Sequence, residues 1–303
     1  MVVGLDQKQA YFGVVLLVLL IVLIITTCKY IYYSYLVVPE RRNRITTETF
    51  NGVSFKKKRL DYYGIGTIES LRFVNYPGKK IAFYCHGNGG NIATRQYVVN
   101  LMSKFKLNTF IFDYRGFGNS HGKPTEVSVL EDALFAYDYL LTKYKPEDII
   151  IWGESLGGAA ATFVASQRPC HKLVILSSFY SISHVINNNM DINKLLAVSI
   201  NCMFINPDKN IPSHEWMAKV RVPTVVVHSK EDEIIPWCSG EKLYNSCKSK
   251  DKMFILIKGK HREPYFEKKQ LKNLIIFLTR GEQNTYILNT EEITSVQEVI
   301  NNI

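Results

Sequence analysis

Asp148-Ile149-Ile150-Ile151-Trp152-Gly153-Glu154-Ser155-Leu156-Gly157-Gly158-Ala159-Ala160-Ala161 passes from an apolar run through Gly-x-Ser-x-Gly into a series of small residues. This order predicts a buried strand, a sharp turn and a helix, with Ser155 on the turn. A β-carbon at either flanking glycine would collide with the neighbouring strand or helix, which is why the pattern needs glycine there. Such a nucleophile elbow lifts a serine hydroxyl out of the sheet edge, where a base and a substrate both reach it. Five residues of this pattern also fit a glycine-rich helix start with a surface serine, so the flanking sequence has to decide.

Upstream, Lys80-Ile81-Ala82-Phe83-Tyr84-Cys85 reads as a strand ending in His86-Gly87-Asn88-Gly89-Gly90-Asn91. A glycine-rich loop there is a candidate oxyanion hole, since backbone N–H groups fixed in advance stabilise a tetrahedral oxyanion by about 3 kcal/mol each. The expected donors are Leu156, directly after the nucleophile, and Asn88. Asn108 to Asp113 is a further short strand. The turn Tyr114-Arg115-Gly116-Phe117-Gly118-Asn119-Ser120 after it is assigned a structural job, an arginine ion pair and two glycines fixing the turn.

Downstream, Pro223 to His228 reads as a strand, with Glu231-Asp232-Glu233 just past it. A catalytic acid in this loop must be ionised and held against a histidine. Asp232, four residues before Pro236, is the expected one, and Glu231 and Glu233 are read as solvated neighbours. The last strand, Lys252 to Ile257, leads to Gly259-Lys260-His261, and a histidine after the final strand is placed to be the general base. His86 and His228 are read as structural.

The chain order Ser155, Asp232, His261 is that of the α/β-hydrolase fold. With His86 to Asn91, Asp113 to Gly118, Gly153 to Gly158, Asp232 to Pro236 and Gly259 to His261, residues 50–279 resemble the membrane-anchored branch of the alpha/beta hydrolase domain-containing serine hydrolases. Lys260 stands where many members of that branch carry glycine before the histidine. The resemblance implies a serine hydrolase acting on lipid esters or protein S-acyl thioesters, with neither cofactor nor metal. Two other readings stay open, a serine peptidase on the same fold and a catalytically silent, membrane-tethered scaffold.

The full length of 303 residues accommodates one large α/β domain, and the helices between the strands carry apolar stripes: Val98, Leu101, Met102 and Phe105 in one, Val127, Leu130, Leu134, Tyr137 and Leu141 in the next. Strands alternating with such helices imply a mostly parallel sheet covered on both faces. The long interval 179–220 is expected to be a helical lid, with Val185, Ile186, Met190, Leu195, Leu196, Val198, Ile200, Met203 and Phe204 as its apolar residues. They serve equally as an acyl-chain pocket or as ordinary core. Residues 280–303 form a polar tail with no assigned role.

Residues 10–28 contain no charge, and Val14 to Ile25 is unbroken aliphatic. As a helix this stretch would be about 28 Å long, close to the hydrocarbon thickness of a bilayer. Its aliphatic residues favour insertion by about 4 to 7 kcal/mol in total. A single transmembrane anchor is therefore expected, followed by a basic juxtamembrane linker over 29–49 with Tyr30, Tyr32, Tyr33 and Tyr35 at the interface. The run is longer than a signal-peptide core and lacks a small-x-small cleavage site. Lys29, Arg41, Arg42, Arg44 and Lys56-Lys57-Lys58-Arg59 follow the span, which by the positive-inside rule places the catalytic domain in the cytosol. Six cysteines without framework spacing and the lack of an Asn-x-Ser/Thr sequon fit that side and are equally compatible with a luminal placement, which stays open. The net charge of +10 accompanies no nucleic-acid-binding motif, so anionic lipid headgroups are the expected partner and nucleic acid is not.

Overall fold

The computed structural model describes residues 7–42, 49–50, 53–188 and 211–281. Eleven strands were found there, of which β1 (Thr49–Phe50) and β2 (Val53–Ser54) pair only with each other. The other nine form one sheet: β3 (Lys56–Asp61), β4 (Thr67–Phe73), β5 (Ile81–Cys85), β6 (Asn108–Phe112), β7 (Ile149–Glu154), β8 (Lys172–Leu176), β9 (Thr224–Ser229), β10 (Lys252–Lys260) and β11 (Glu263–Tyr265). Their spatial order is β11-β10-β9-β8-β7-β5-β6-β4-β3. From β6 to β10 every pairing is parallel, while β4 runs antiparallel to both its neighbours and β11 is antiparallel to β10.

The unbroken apolar runs follow from burial on both faces. In β7, Ile149 and Ile151 join a cluster with Phe83, Phe112 and Val226, while Ile150 and Trp152 join another with Tyr84, Val174 and Val227. Helices α3 (Glu126–Leu141) and α4 (Leu156–Gln167) cover the first face, and α2 (Gln96–Lys104) and the C-terminal helix Lys268–Thr279 cover the second. Val98, Leu101 and Met102 are buried as expected, and Phe105 caps the helix. In α3 the expected face is rotated: Val127 is 45% exposed, and the core is entered by Val129, Leu130, Ala133, Ala136, Tyr137 and Leu140. Alanines let this helix lie close to α4, an arrangement that a search for large apolar residues misses.

Helix α1 spans Gln7–Leu36, past the expected boundary at 28, so the first part of the supposed linker is helical. The next residues, Val37 to Arg41, lie on the hydrolase domain, with Val37 buried among its core residues. The described side chains of α1, residues 11–24 with 26 and 27, are exposed. Among the described residues no helix is long and apolar enough to cross a membrane. Of the expected lid, residues 189–210, and with them Met190, Leu195, Leu196, Val198, Ile200, Met203 and Phe204, lie outside the described residues. Its start is the helix Ile182–Asn188, and Ser213–Met217 follows it. The tail beyond residue 281 is likewise outside them.

Candidate active site

Strands β7, β9 and β10 carry Ser155, Asp232 and His261 to one edge of the sheet, their carboxyl ends. Ser155 adopts φ +54° and ψ −120°, a conformation that costs a non-glycine residue about 1 to 3 kcal/mol. The turn is enforced by contact: a β-carbon on Gly157 would stand 2.0 Å from the Cys85 carbonyl oxygen, and one on Gly153 would stand 2.2 Å from that of Gly157. Helix α4 therefore rests directly on the backbone of β5 and β7, and the serine is displayed above the join.

Ser155 Oγ lies 3.0 Å from His261 Nε2, and His261 Nδ1 lies 2.7 Å from Asp232 Oδ2. Side chains 106 and 29 residues apart in sequence thus form one hydrogen-bonded row. The other oxygen of Asp232 accepts the Ile234 and Ile235 N–H groups at 3.0 and 2.7 Å. Burial opposes ionisation of this carboxyl, yet hydrogen bonds from His228 and His261, the His261 charge and the Ile235 N–H outweigh it. The carboxyl is held well below the usual range, ready to orient an imidazole and to balance an imidazolium.

His228, expected to be structural, is fully buried, its Nε2 2.9 Å from the Ile235 carbonyl and 3.3 Å from Asp232 Oδ2. It braces the Asp232 loop and approaches the same carboxylate oxygen that His261 meets. Glu231 and Glu233 are exposed, as expected of solvated neighbours, and each also makes a backbone contact that the sequence does not reveal. Glu231 accepts the Gly259 N–H at 2.6 Å and Glu233 accepts the His261 N–H at 3.0 Å. Both carboxylates clamp the histidine loop by its backbone. That loop turns at Gly259, whose φ of +88° is left-handed, and the Lys260 that replaces the more usual glycine is accommodated beside it at the end of β10.

On the oxyanion side, Leu156 is the first residue of α4, so its N–H has no acceptor within the helix. Gly87 packs against the nucleophile, a β-carbon there falling 3.3 Å from that of Ser155. Asn88 follows it, and its side-chain oxygen accepts the Val38 N–H at 2.7 Å. The loop is tied from beneath by Asp113, which accepts the Ile92 N–H at 2.8 Å and faces His86 Nε2 at 3.4 Å. Arg115 meets Asp132 through Nε at 2.5 Å and through its own N–H at 2.7 Å, and Glu131 at 2.6 Å, so the turn has the structural arginine pair expected of it. Glu154, beside the nucleophile, is engaged by the hydroxyls of Tyr84 and Tyr97.

Residues 76–206 match the family model described as serine aminopeptidase, S33. The fold superposes on an esterase of Pyrococcus furiosus with a TM-score of 0.60 at 16% identity, covering 75% of this chain and 90% of that one. Over 216 residues the chain is 30% identical to the uncharacterized protein R595 of Acanthamoeba polyphaga mimivirus, covering 65% of this chain and 72% of that protein. The chain belongs to the alpha/beta hydrolase superfamily. It is 28% identical over 190 residues to the uncharacterized protein YfhR of Escherichia coli K12, spanning 61% of this chain and 64% of YfhR, less than two thirds of that relative's length. To the lysophosphatidylserine lipase ABHD12 of Danio rerio it is 28% identical over 183 residues, covering 54% of this chain and 46% of the lipase.

Proposed function

We propose that this α/β hydrolase is a membrane-anchored serine hydrolase that cleaves carboxylic ester or thioester bonds of acyl-lipid substrates through an acyl-enzyme. The observation that carries the reading is the row Ser155, His261, Asp232, with the serine held on a strained turn beside the first N–H of a helix. Ser155 Oγ attacks the acyl carbonyl as its proton passes to His261 Nε2, and Asp232 balances the imidazolium. The oxyanion is met by the N–H groups of Leu156 and Asn88. Collapse breaks the bond to the leaving alcohol or thiol, which takes the proton from Nε2. A water activated by the same nitrogen then releases the fatty acid and restores Ser155.

The lipid assignment draws on α1 with its exposed Leu, Ile and Val, on the exposed basic edge strand Lys56-Lys57-Lys58-Arg59, and on the lipase named among the relatives. In this reading, which rests on the uncharged sequence stretch 10–28 as the single-pass anchor, anionic headgroups face the basic edge at about 1 kcal/mol per nearby Lys or Arg, and the catalytic domain lies on the cytosolic side. A peptidase is the second reading, favoured by the description of the matching family model.

A p-nitrophenyl ester series from C2 to C12 separates them, assayed on the full chain in detergent. Each buried methylene contributes about 0.8 kcal/mol, so even half of that over six methylenes raises kcat/KM more than tenfold from C4 to C10. A peak at C2 together with efficient cleavage of peptides would replace the lipid reading by the peptidase one. A folded protein that no fluorophosphonate labels would leave only the scaffold.

A further inference from the structure

We infer that Val37 to Arg41 form a strap that positions the oxyanion loop, so that the N-terminal helix and the oxyanion hole belong to one mechanical unit. The inference rests on the hydrolase reading above. Helix α1 ends at Leu36, and Val37, the next residue, is only 8% exposed. The strap is then bonded to the catalytic loop and to the turn after β6. Val38 donates its N–H to Asn88 Oδ1 at 2.7 Å. The Glu40 carbonyl accepts from the Asn91 side chain at 3.2 Å and from the Gly118 N–H at 2.8 Å. Arg41 Nε donates to the Gly116 carbonyl at 3.0 Å.

These contacts reach both segments that shape the oxyanion side, the loop Gly87 to Asn91 and the turn Gly116 to Gly118. The Glu40 carbonyl joins the two. Pro39 adds stiffness at no loss, since the residues that donate from the strap are Val38 and Arg41 and proline has no N–H to leave unpaired. With Asn88 gripped through its side chain, its peptide is restrained on both sides, by the strap and by Gly87 against Ser155. An oxyanion donor works by being in place before charge develops, so slack in this loop appears in kcat and not in substrate binding. Helix α1 runs straight into the strap, so an anchor within residues 10–28 would place the strap about two helical turns from the membrane surface.

The test compares the full chain in detergent with Val38→Pro, which removes the N–H accepted by Asn88, and with Arg41→Ala. Using p-nitrophenyl butyrate as a soluble substrate, each variant is expected to lose about tenfold in kcat, part of what deleting a donor costs, with KM unchanged. Amide hydrogen exchange of residues 88–91 should quicken in both while Tm holds. Should Val38→Pro not fold, Arg41→Ala carries both readouts. Unchanged kcat and unchanged exchange would overturn the strap, as would a loss seen only with vesicle-borne substrate, which marks a mere tether. Absence of fluorophosphonate labelling in the unaltered chain would instead remove the hydrolase reading, and the exchange measurement would still report whether the strap restrains the loop.

Discussion

Glu233 holds the backbone N–H of His261 at 3.0 Å, so this exposed carboxylate restrains the same histidine whose imidazole Asp232 orients at 2.7 Å. The two acids divide the work: one fixes where the loop is, the other which way the ring points. Asp232→Asn should lower kcat by about four orders of magnitude with the fold intact, as loss of the orienting carboxylate does in a serine protease. Glu233→Ala removes one hydrogen bond of roughly 1 kcal/mol and should cost about fivefold to tenfold. Steady-state kinetics on a p-nitrophenyl ester compares them, and equal losses would mean that the wrong carboxylate has been assigned to the imidazole.

Ser155→Ala is expected to abolish fluorophosphonate labelling and to lower turnover by several orders of magnitude. Labelling that survives would remove Ser155 as the nucleophile. Ser155→Gly makes a second, independent prediction. Glycine adopts the φ of +54° without the strain that serine bears there, so the inactive variant should melt about 2 to 4 °C higher for each kcal/mol relieved. A differential scanning calorimetry trace with Tm unchanged or lowered would mean that the turn stores no such strain.

Gly240 faces His228 so closely that an added β-carbon would stand 2.3 Å from Nδ1. Gly240→Ala should push the imidazole against Asp232, costing about 1 to 3 kcal/mol of stability and reducing kcat while KM stays constant. Urea unfolding and kinetics measure the two effects. Wild-type values for both would show that His228 does not brace the acid.

The depressed pKa of Asp232 sets an acid dependence of stability. Its folded value lies below the unfolded value of about 3.9, so its stabilisation is complete above that pH and is lost as pH falls through the folded value. The stability gap between the wild type and Asp232→Asn should therefore narrow from pH 5 toward pH 2 in urea titrations. A gap that widens toward acid would contradict the sign of the shift.

The elbow was legible because its chemistry is local: an apolar run covered on both faces, glycines where α4 touches strand backbone, and small residues along the helix. Chain order then located Asp232 and His261, since each follows a strand whose pattern is plain. The clamps by Glu231 and Glu233 were not legible, because an exposed glutamate bonded to a backbone N–H has the same sequence signature as one facing water. The rotated face of α3 escaped for a related reason, its close approach being made by Ala133 and Ala136 and not by large side chains. The contacts of Val38 and Glu40 use peptide groups that every residue supplies, so no pattern of side chains could reveal them.

Lys172, at the start of β8, is buried and donates to the carbonyls of Leu278 and Arg280, both at 2.8 Å. It fastens the end of the last described helix to the amino-terminal rim of the sheet, about 13 Å along the strand from the rim that carries Ser155. A fluorophore or affinity handle inserted directly after Gly281 would thus sit on the distal pole. Such a probe would leave the face bearing the strap and the serine unobstructed, giving a vantage from which energy transfer to labelled lipid vesicles reports whether the chain docks on them at all.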